Sequence, residues 1–359
     1  MKFCVILGTR PEIIKMSPVI QELEQRHLDY TVLHTGQHYS YNMDKVFFEV
    51  LKLPKATYNL DVGSGSQGEQ TGKMLTAIED VLETDKPDVV LVEGDTNTVL
   101  AGGLAAAKLG IKVAHVEAGL RSFDRTMPEE VNRVLVDHCS DYLFAPTEVS
   151  KKNLLNEGIN EKGIFVVGNT VVDALYRNCS QKDGSGNVLD LLGLTSKGYC
   201  LVTVHRQENV DNKERFTDIM HGIKRVYEEL GVQVVYPVHP RSRKQMTQFG
   251  INADGVKLVD PVDFLGFLQL ERNAKLVLTD SGGVQEEACV FGVPCVTLRD
   301  NTERPETLEV GANLLAGTNP DKIVECAKLM IDKTSGWKNP FGDGTTGKKI
   351  IEVLCRVSV

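Results

Sequence analysis

The sequence predicts an α/β protein made of two doubly wound parallel-sheet domains, and three observations carry that prediction. Short β-branched runs alternate with amphipathic stretches along nearly the whole chain, the rhythm of repeated βα units. Runs such as Val89-Val90-Leu91-Val92 are apolar on both faces, as strands covered by helices on each side must be. The length of 359 residues exceeds one ordinary domain and suits two of ~150–180.

In chain order, the first half offers strands at Phe3–Leu7, Tyr30–His34, Val89–Glu93, Lys112–His115, Tyr142–Phe144 and Ile164–Val167. Amphipathic helices are expected at Glu12–Arg26, Gln67–Thr84, Thr98–Leu109 and Thr147–Asn156. The rhythm lapses around Gln181–Ser196, where the polar, glycine-rich run Lys182-Asp183-Gly184-Ser185-Gly186-Asn187 reads as a linker. It restarts with strands at Tyr199–Val204, Val232–Val238, Val256–Val259, Leu276–Leu278 and Cys295–Leu298, and Lys348–Arg356 forms a last helix. Domains are therefore expected over residues 1–170 and 171–345. Two such halves imply a cleft, and ligands of these sheets bind outside the carboxyl ends of the strands.

Composition narrows the function. The 42% hydrophobic and 25% charged fractions are those of a globular chain. A net charge of −9 argues against a broad grip on nucleic acid. No apolar run approaches the ~18 residues of a membrane span, and the start lacks a signal-peptide pattern, so a soluble, cytoplasmic protein is expected. The eight cysteines sit mostly inside apolar patterns without C-x-x-C spacing, which predicts buried free thiols and no zinc site.

Two glycine motifs are decoys. Gly63-Ser64-Gly65-Ser66-Gln67-Gly68 fits G-x-G-x-x-G but follows a poor buried strand, so it reads as a loop entering a helix. Gly342-Asp343-Gly344-Thr345-Thr346-Gly347-Lys348-Lys349 lacks the Ser/Thr of a phosphate loop and follows no strand.

The informative residues lie where strands end. Gly8-Thr9-Arg10-Pro11 places a tight turn, two cations (Arg10, Lys15) and free backbone N–H groups at one helix start, an anion site or merely two solvated cations. Asp95 and Glu117 follow adjacent strands, and Glu129 and Glu130 open a helix, where acids also suit the helix dipole. Three converging acids without metal-ligand histidines point to proton handling, with a divalent-metal site as the competing reading. His205 ends the first strand of the second half. Thr279-Asp280-Ser281-Gly282-Gly283 leaves a strand and enters a helix, a ready diphosphate site, with Glu287 placed for ribose hydroxyls and Arg304 downstream.

These segments, in order, resemble the non-hydrolysing UDP-N-acetylglucosamine 2-epimerases. The match runs through Gly8-Thr9-Arg10-Pro11-Glu12, Gly94-Asp95-Thr96, His115-Val116-Glu117-Ala118-Gly119-Leu120-Arg121 and Pro128-Glu129-Glu130. It continues through Gly168-Asn169-Thr170, Val235-Tyr236-Pro237-Val238-His239, Thr279–Glu287, Thr302-Glu303-Arg304-Pro305-Glu306 and Asn339-Pro340-Phe341-Gly342-Asp343-Gly344.

The resemblance implies a GT-B fold of two Rossmann-like domains, with residues 346–359 packing back on the first. It further implies a homodimer and interconversion of UDP-GlcNAc and UDP-ManNAc without a cofactor or metal. By motif, Asp95, Glu117, Glu129 and His205 inherit catalytic roles. Arg10, Lys15, Phe267, Ser281, Gly282, Gly283, Glu287 and Arg304 inherit substrate binding. Gln37, His38, Gln70 and His239 fall where a regulatory site would lie. Gln37-His38-Tyr39-Ser40-Tyr41 and His205-Arg206-Gln207-Glu208-Asn209 depart from the bacterial pattern, so activation by UDP-GlcNAc is expected to be weak or absent. A hydrolysing 2-epimerase, a GT-B glycosyltransferase and a non-catalytic nucleotide-sugar sensor are the competing readings.

Overall fold

The computed structural model describes residues 1–37, 41–179 and 187–357. The chain forms two compact units, Met1–Arg177 with Phe341–Val359, and Asn178–Pro340. The linker read at 182–187 lies almost wholly outside the described residues.

The first unit holds strands β1 (Lys2–Leu7), β2 (Asp29–His34), β3 (Tyr58–Asn59), β4 (Val89–Glu93), β5 (Lys112–Val116), β6 (Tyr142–Ala145) and β7 (Ile164–Val166). They form one sheet in the order β3-β2-β1-β4-β5-β6-β7, with every pair parallel. Helices α1 (Arg10–Gln25), α2 (Tyr41–Val50), α3 (Gln67–Asp85), α4 (Asn97–Lys108), α5 (Pro128–Cys139), α6 (Glu148–Asn156) and α7 (Thr170–Cys179) alternate with the strands. The central strand explains the apolar runs: Phe3 to Leu7 are all fully buried, because helices cover both faces.

The closing helix Thr346–Val357 belongs to this unit. Its first N–H groups, from Thr346 and Gly347, donate to the Asp173 carboxylate of α7 at 3.1 and 3.0 Å. Gly347 lies so close to Pro18 of α1 that a Cβ would sit 2.9 Å from the Pro18 carbonyl carbon. Val171, Val172, Ala174 and Leu175 are buried, so residues 171–177 go with the first unit, and the division falls after Arg177 instead of after residue 170.

The second unit holds β8 (Tyr199–Thr203), β9 (Gln233–Pro237), β10 (Val256–Val259), β11 (Leu276–Thr279), β12 (Cys295–Thr297) and β13 (Asn313–Leu315). Their order is β10-β9-β8-β11-β12-β13, again all parallel. Apolar side chains cluster on both faces, around Phe216 and Tyr236 on one and around Tyr199 and Leu270 on the other.

The sequence reading missed β3 and β13. Both are two- or three-residue edge strands, too short and too little buried to carry an apolar pattern. Gly63 to Ser66 form a loop, and Ser66 caps α3, with its hydroxyl accepting the Glu69 N–H at 3.4 Å. Cys4, Cys139, Cys200, Cys289, Cys295, Cys326 and Cys355 are free thiols, and burial pushes those of Cys4 and Cys200 up to about 12. No helix is long and apolar enough to cross a membrane among the described residues.

Candidate active site

The first sheet reverses its order between β1 and β4, and the loops at the carboxyl ends of β1, β4 and β5 form its rim. Gly8 is required there: a Cβ would lie 2.0 Å from Thr35 Oγ1 and 2.4 Å from Thr98 Oγ1. Two N–H groups of the turn after β1 are already engaged. Gly8 and Thr9 N–H both donate to Glu12 Oε2, at 2.6 and 3.3 Å, because the third helical residue reaches back to close the turn. Thr96 Oγ1 donates to the other Glu12 oxygen at 2.6 Å. Burial nevertheless pushes the Glu12 carboxyl up to about 7.

The two cations of this segment go different ways. Arg10 is partly exposed, with Nε 3.2 Å from the buried Asp44 and its guanidinium 5.2 Å from the Phe47 ring centre. Lys15 turns to the strand ends instead: its Nζ is 2.7 Å from Glu117 Oε2 and 3.1 Å from Glu93 Oε1.

Glu117 is the most constrained of the candidates. Its φ of +72° lies in the left-handed region, where a non-glycine residue is strained. Asn169 Nδ2 donates to Oε1 at 2.9 Å, and Lys15 holds Oε2. The segment is pinned on both sides. Glu117 and Ala118 N–H share the Phe144 carbonyl at 3.1 Å, and buried His115 spans Asp137 at 2.6 Å and the Gly94 carbonyl at 2.9 Å. Burial alone would raise the Asp137 carboxyl, but His115 and Arg121 hold it below the usual range.

Asp95 is paired with Arg133 Nη2 at 2.5 Å and keeps about 30% of its side chain exposed. Arg133 Nη1 in turn bonds Glu130 at 2.8 Å, and Glu130 accepts the Ser122 and Phe123 N–H groups, each at 2.9 Å. The acidic pair that opens α5 thus has two fates. Glu130 is buried and committed to the loop, while Glu129 is half-buried and makes no hydrogen bond or ion pair among the described residues.

Gln37 and Gln70 are buried as ties within this unit. Gln70 Nε2 donates to the Gln37 and Gly63 carbonyls at 2.7 and 2.8 Å, and Gln37 Oε1 accepts the Thr98 N–H at 3.0 Å. His38 lies outside the described residues.

In the second unit the sheet order reverses between β8 and β11. His205, just past β8, has Nδ1 3.2 Å from Asp280 Oδ1, and its imidazole is 46% exposed. Asp280 is buried and also accepts the N–H groups of His205 and Arg206 at 3.1 and 2.9 Å. Burial opposes the charge, but His205 and these donors hold the carboxyl below the usual range. Ser281 caps the helix Gly282–Phe291, its hydroxyl accepting the Val284 N–H. A Cβ on Gly282 would lie 2.3 Å from Glu303 Oε1, so a larger residue there would have to displace that carboxylate.

Glu287 and Phe267 are half-buried, on the helices Gly282–Phe291 and Phe264–Asn273. Arg304 is buried with Nε 2.9 Å from Glu286. His239 caps the helix Pro240–Phe249, and burial, then His205 and Arg241, push its pKa down.

The rims therefore bring Lys15, Glu117 and Asn169 together in the first unit, and His205, Asp280 and Ser281 in the second. The sequence reading missed Glu93, Asn169, Arg133 and Asp280 as members of these groups. An acid closing an otherwise apolar strand was the readable sign for Glu93. Asn169 and Asp280 stood inside quoted motifs without a role. Among the described residues no three His, Cys, Asp or Glu side chains are grouped as metal ligands.

The chain is similar to known proteins over nearly its full length. The family model for UDP-N-acetylglucosamine 2-epimerase matches residues 21–355. UDP-N-acetylglucosamine 2-epimerase of Methanocaldococcus jannaschii is 56% identical over 361 residues, covering 99% of each chain. That of Methanococcus maripaludis is 53% identical over 360 residues, covering 98% of each. The crystal structure of the M. jannaschii enzyme in complex with UDP-GlcNAc and UDP superposes with a TM-score of 0.93 at 56% identity, covering 99% of this chain and 100% of that one. With two Rossmann-like, parallel-sheet domains of the GT-B-like fold, the chain belongs to the UDP-N-acetylglucosamine 2-epimerase family.

Proposed function

We propose that this enzyme interconverts UDP-GlcNAc and UDP-ManNAc by eliminating UDP and adding it back, without hydrolysis. The observation that carries the reading is the ordered set of carboxylates on the first rim, Asp95, Glu117 and Glu129, in a member of this family. The C2 proton of the sugar is not beside a carbonyl, so direct removal is hard. Breaking the anomeric C–O bond first builds oxocarbenium character, which acidifies C2–H. UDP leaves as an anion, and the Ser281-Gly282-Gly283 helix start, Arg10 and Arg304 favour its charge.

A carboxylate then takes the C2 proton, leaving 2-acetamidoglucal and UDP. Protonation from the other face with return of UDP inverts C2. Asp95, Glu117 and Glu129 share the acid and base work in this reading. Glu129 suits proton exchange because no partner holds it among the described residues. Arg133 lies against Asp95 and Lys15 against Glu117, so each carboxyl has a cation beside it. His205, oriented by Asp280, serves the diphosphate or the reacting carbon. A homodimer belongs to the same reading on family resemblance.

Incubation with UDP-GlcNAc alone in D₂O, followed by NMR, tests the proposal. UDP-ManNAc carrying deuterium at C2 is the expected product. Free ManNAc with UDP would make the enzyme hydrolysing, and epimerised sugar without deuterium would rule out elimination and re-addition.

A further inference from the structure

Glu93 is the last residue of β4 and is 2% exposed. The charged groups facing it are Lys15 and Glu12 of α1 and Glu117 after β5. If all three carboxyls were ionised, one ammonium would face three buried anions, an arrangement too costly to persist. A proton on Glu12 would still leave one ammonium against two buried anions, Glu93 and Glu117, so one of those two keeps a proton as well.

Geometry decides which of the two acids beside Lys15 keeps it. Lys15 is nearer Glu117, at 2.7 Å, than Glu93, at 3.1 Å, and Glu117 alone receives the Asn169 N–H, at 2.9 Å. The better-served oxygens carry the charge. Burial is the main force driving the Glu93 carboxyl well above the ordinary range, with Lys15 opposing it and Glu117 adding to it.

We propose that Glu93 is a positioning residue for Glu117, held as the neutral acid so that its O–H bonds Glu117 while Lys15 stays between the two. Glu117, already strained at positive φ, is thereby fixed as the anion. The inference rests on the proton-transfer role proposed above for Glu117.

Two measurements test it. In the infrared at pH 7, the wild-type protein minus Glu93→Gln should show the carbonyl stretch of one neutral carboxylic acid. Identical spectra in that region would overturn the proposal. In kinetics, Glu93→Ala should lower kcat by about 10²-fold with little change in KM, the scale expected when a reacting group is misplaced. Glu93→Gln should recover about tenfold of that, because its amide N–H replaces the acid O–H. Wild-type kcat should fall on the alkaline side as Glu93 ionises, and Glu93→Gln should lack that fall. A glutamine variant as impaired as alanine, or an alanine variant altered only in KM, would overturn the role. Failure of the wild type to epimerise UDP-GlcNAc would sink the proposed function instead, and the infrared comparison would still decide where the proton sits.

Discussion

Glu12 on the first rim and Asp280 on the second are equally hidden from water, at 2% and 0% exposure, yet their carboxyls shift in opposite directions. Both accept loop N–H groups. Among the described residues Glu12 has only neutral donors, from Gly8, Thr9 and Thr96, and burial outweighs them. Asp280 has His205 against it as well as the His205 and Arg206 N–H groups, and together they outweigh burial. Burial sets the cost of a charge, and the groups facing it decide whether the charge survives. The first rim therefore retains a proton at Glu12 inside the fold. The second rim keeps a fixed anion that orients an imidazole.

Three substitutions sharpen this contrast. The largest effect is expected at Asp95, the least buried of the carboxylates paired with a cation on the first rim. Asp95→Asn should cut epimerisation by about 10²–10⁴-fold, the range for loss of a general acid or base, with UDP affinity little changed by calorimetry. Near-normal turnover would move the base to Glu117 or Glu129.

Next is Glu12→Gln, read as stability by chemical denaturation across pH. The folded protein holds the Glu12 proton more tightly than the unfolded chain, so wild-type stability is intact below about 4.5 and falls as pH rises to about 7. Glutamine does not ionise and can keep the Gly8 and Thr96 bonds. Its advantage should therefore open between those pH values, to roughly 3 kcal/mol at most. A pH-independent difference would show that Glu12 does not retain the proton.

The smallest expected effect runs in the reverse direction. Asp280 titrates below its ordinary 3.8 when folded, so its contribution is present above that value and lost as pH falls through the folded pKa. Asp280→Asn should cost about 1.5 kcal/mol at pH 7, the scale of a charge-assisted hydrogen bond, and the gap should close in acid. If both variants showed the same pH trend, the contrast between the rims would be wrong.

The sequence by itself determined the fold class, most strand positions and the candidate acids. Apolar runs such as Val89 to Val92 and turn residues such as Gly8 and Pro11 are local signals, and steric and burial rules act on them directly. It did not determine β3 or β13, whose pairing comes from a neighbouring strand and not from their own pattern. It also placed Arg10, Lys15 and free N–H groups at one anion site, where the tertiary structure sends Lys15 to Glu93 and Glu117, Arg10 to Asp44, and the Gly8 and Thr9 N–H groups to Glu12. Which of two adjacent glutamates, Glu129 or Glu130, is committed to the loop was equally unreadable from their order in the chain. A charge takes its partner from whatever the fold brings within a few ångströms, 102 residues away in sequence for Lys15 and Glu117. Strand and turn formation are settled by near neighbours, but protonation and pairing are settled by distant ones, and only the folded chain supplies those.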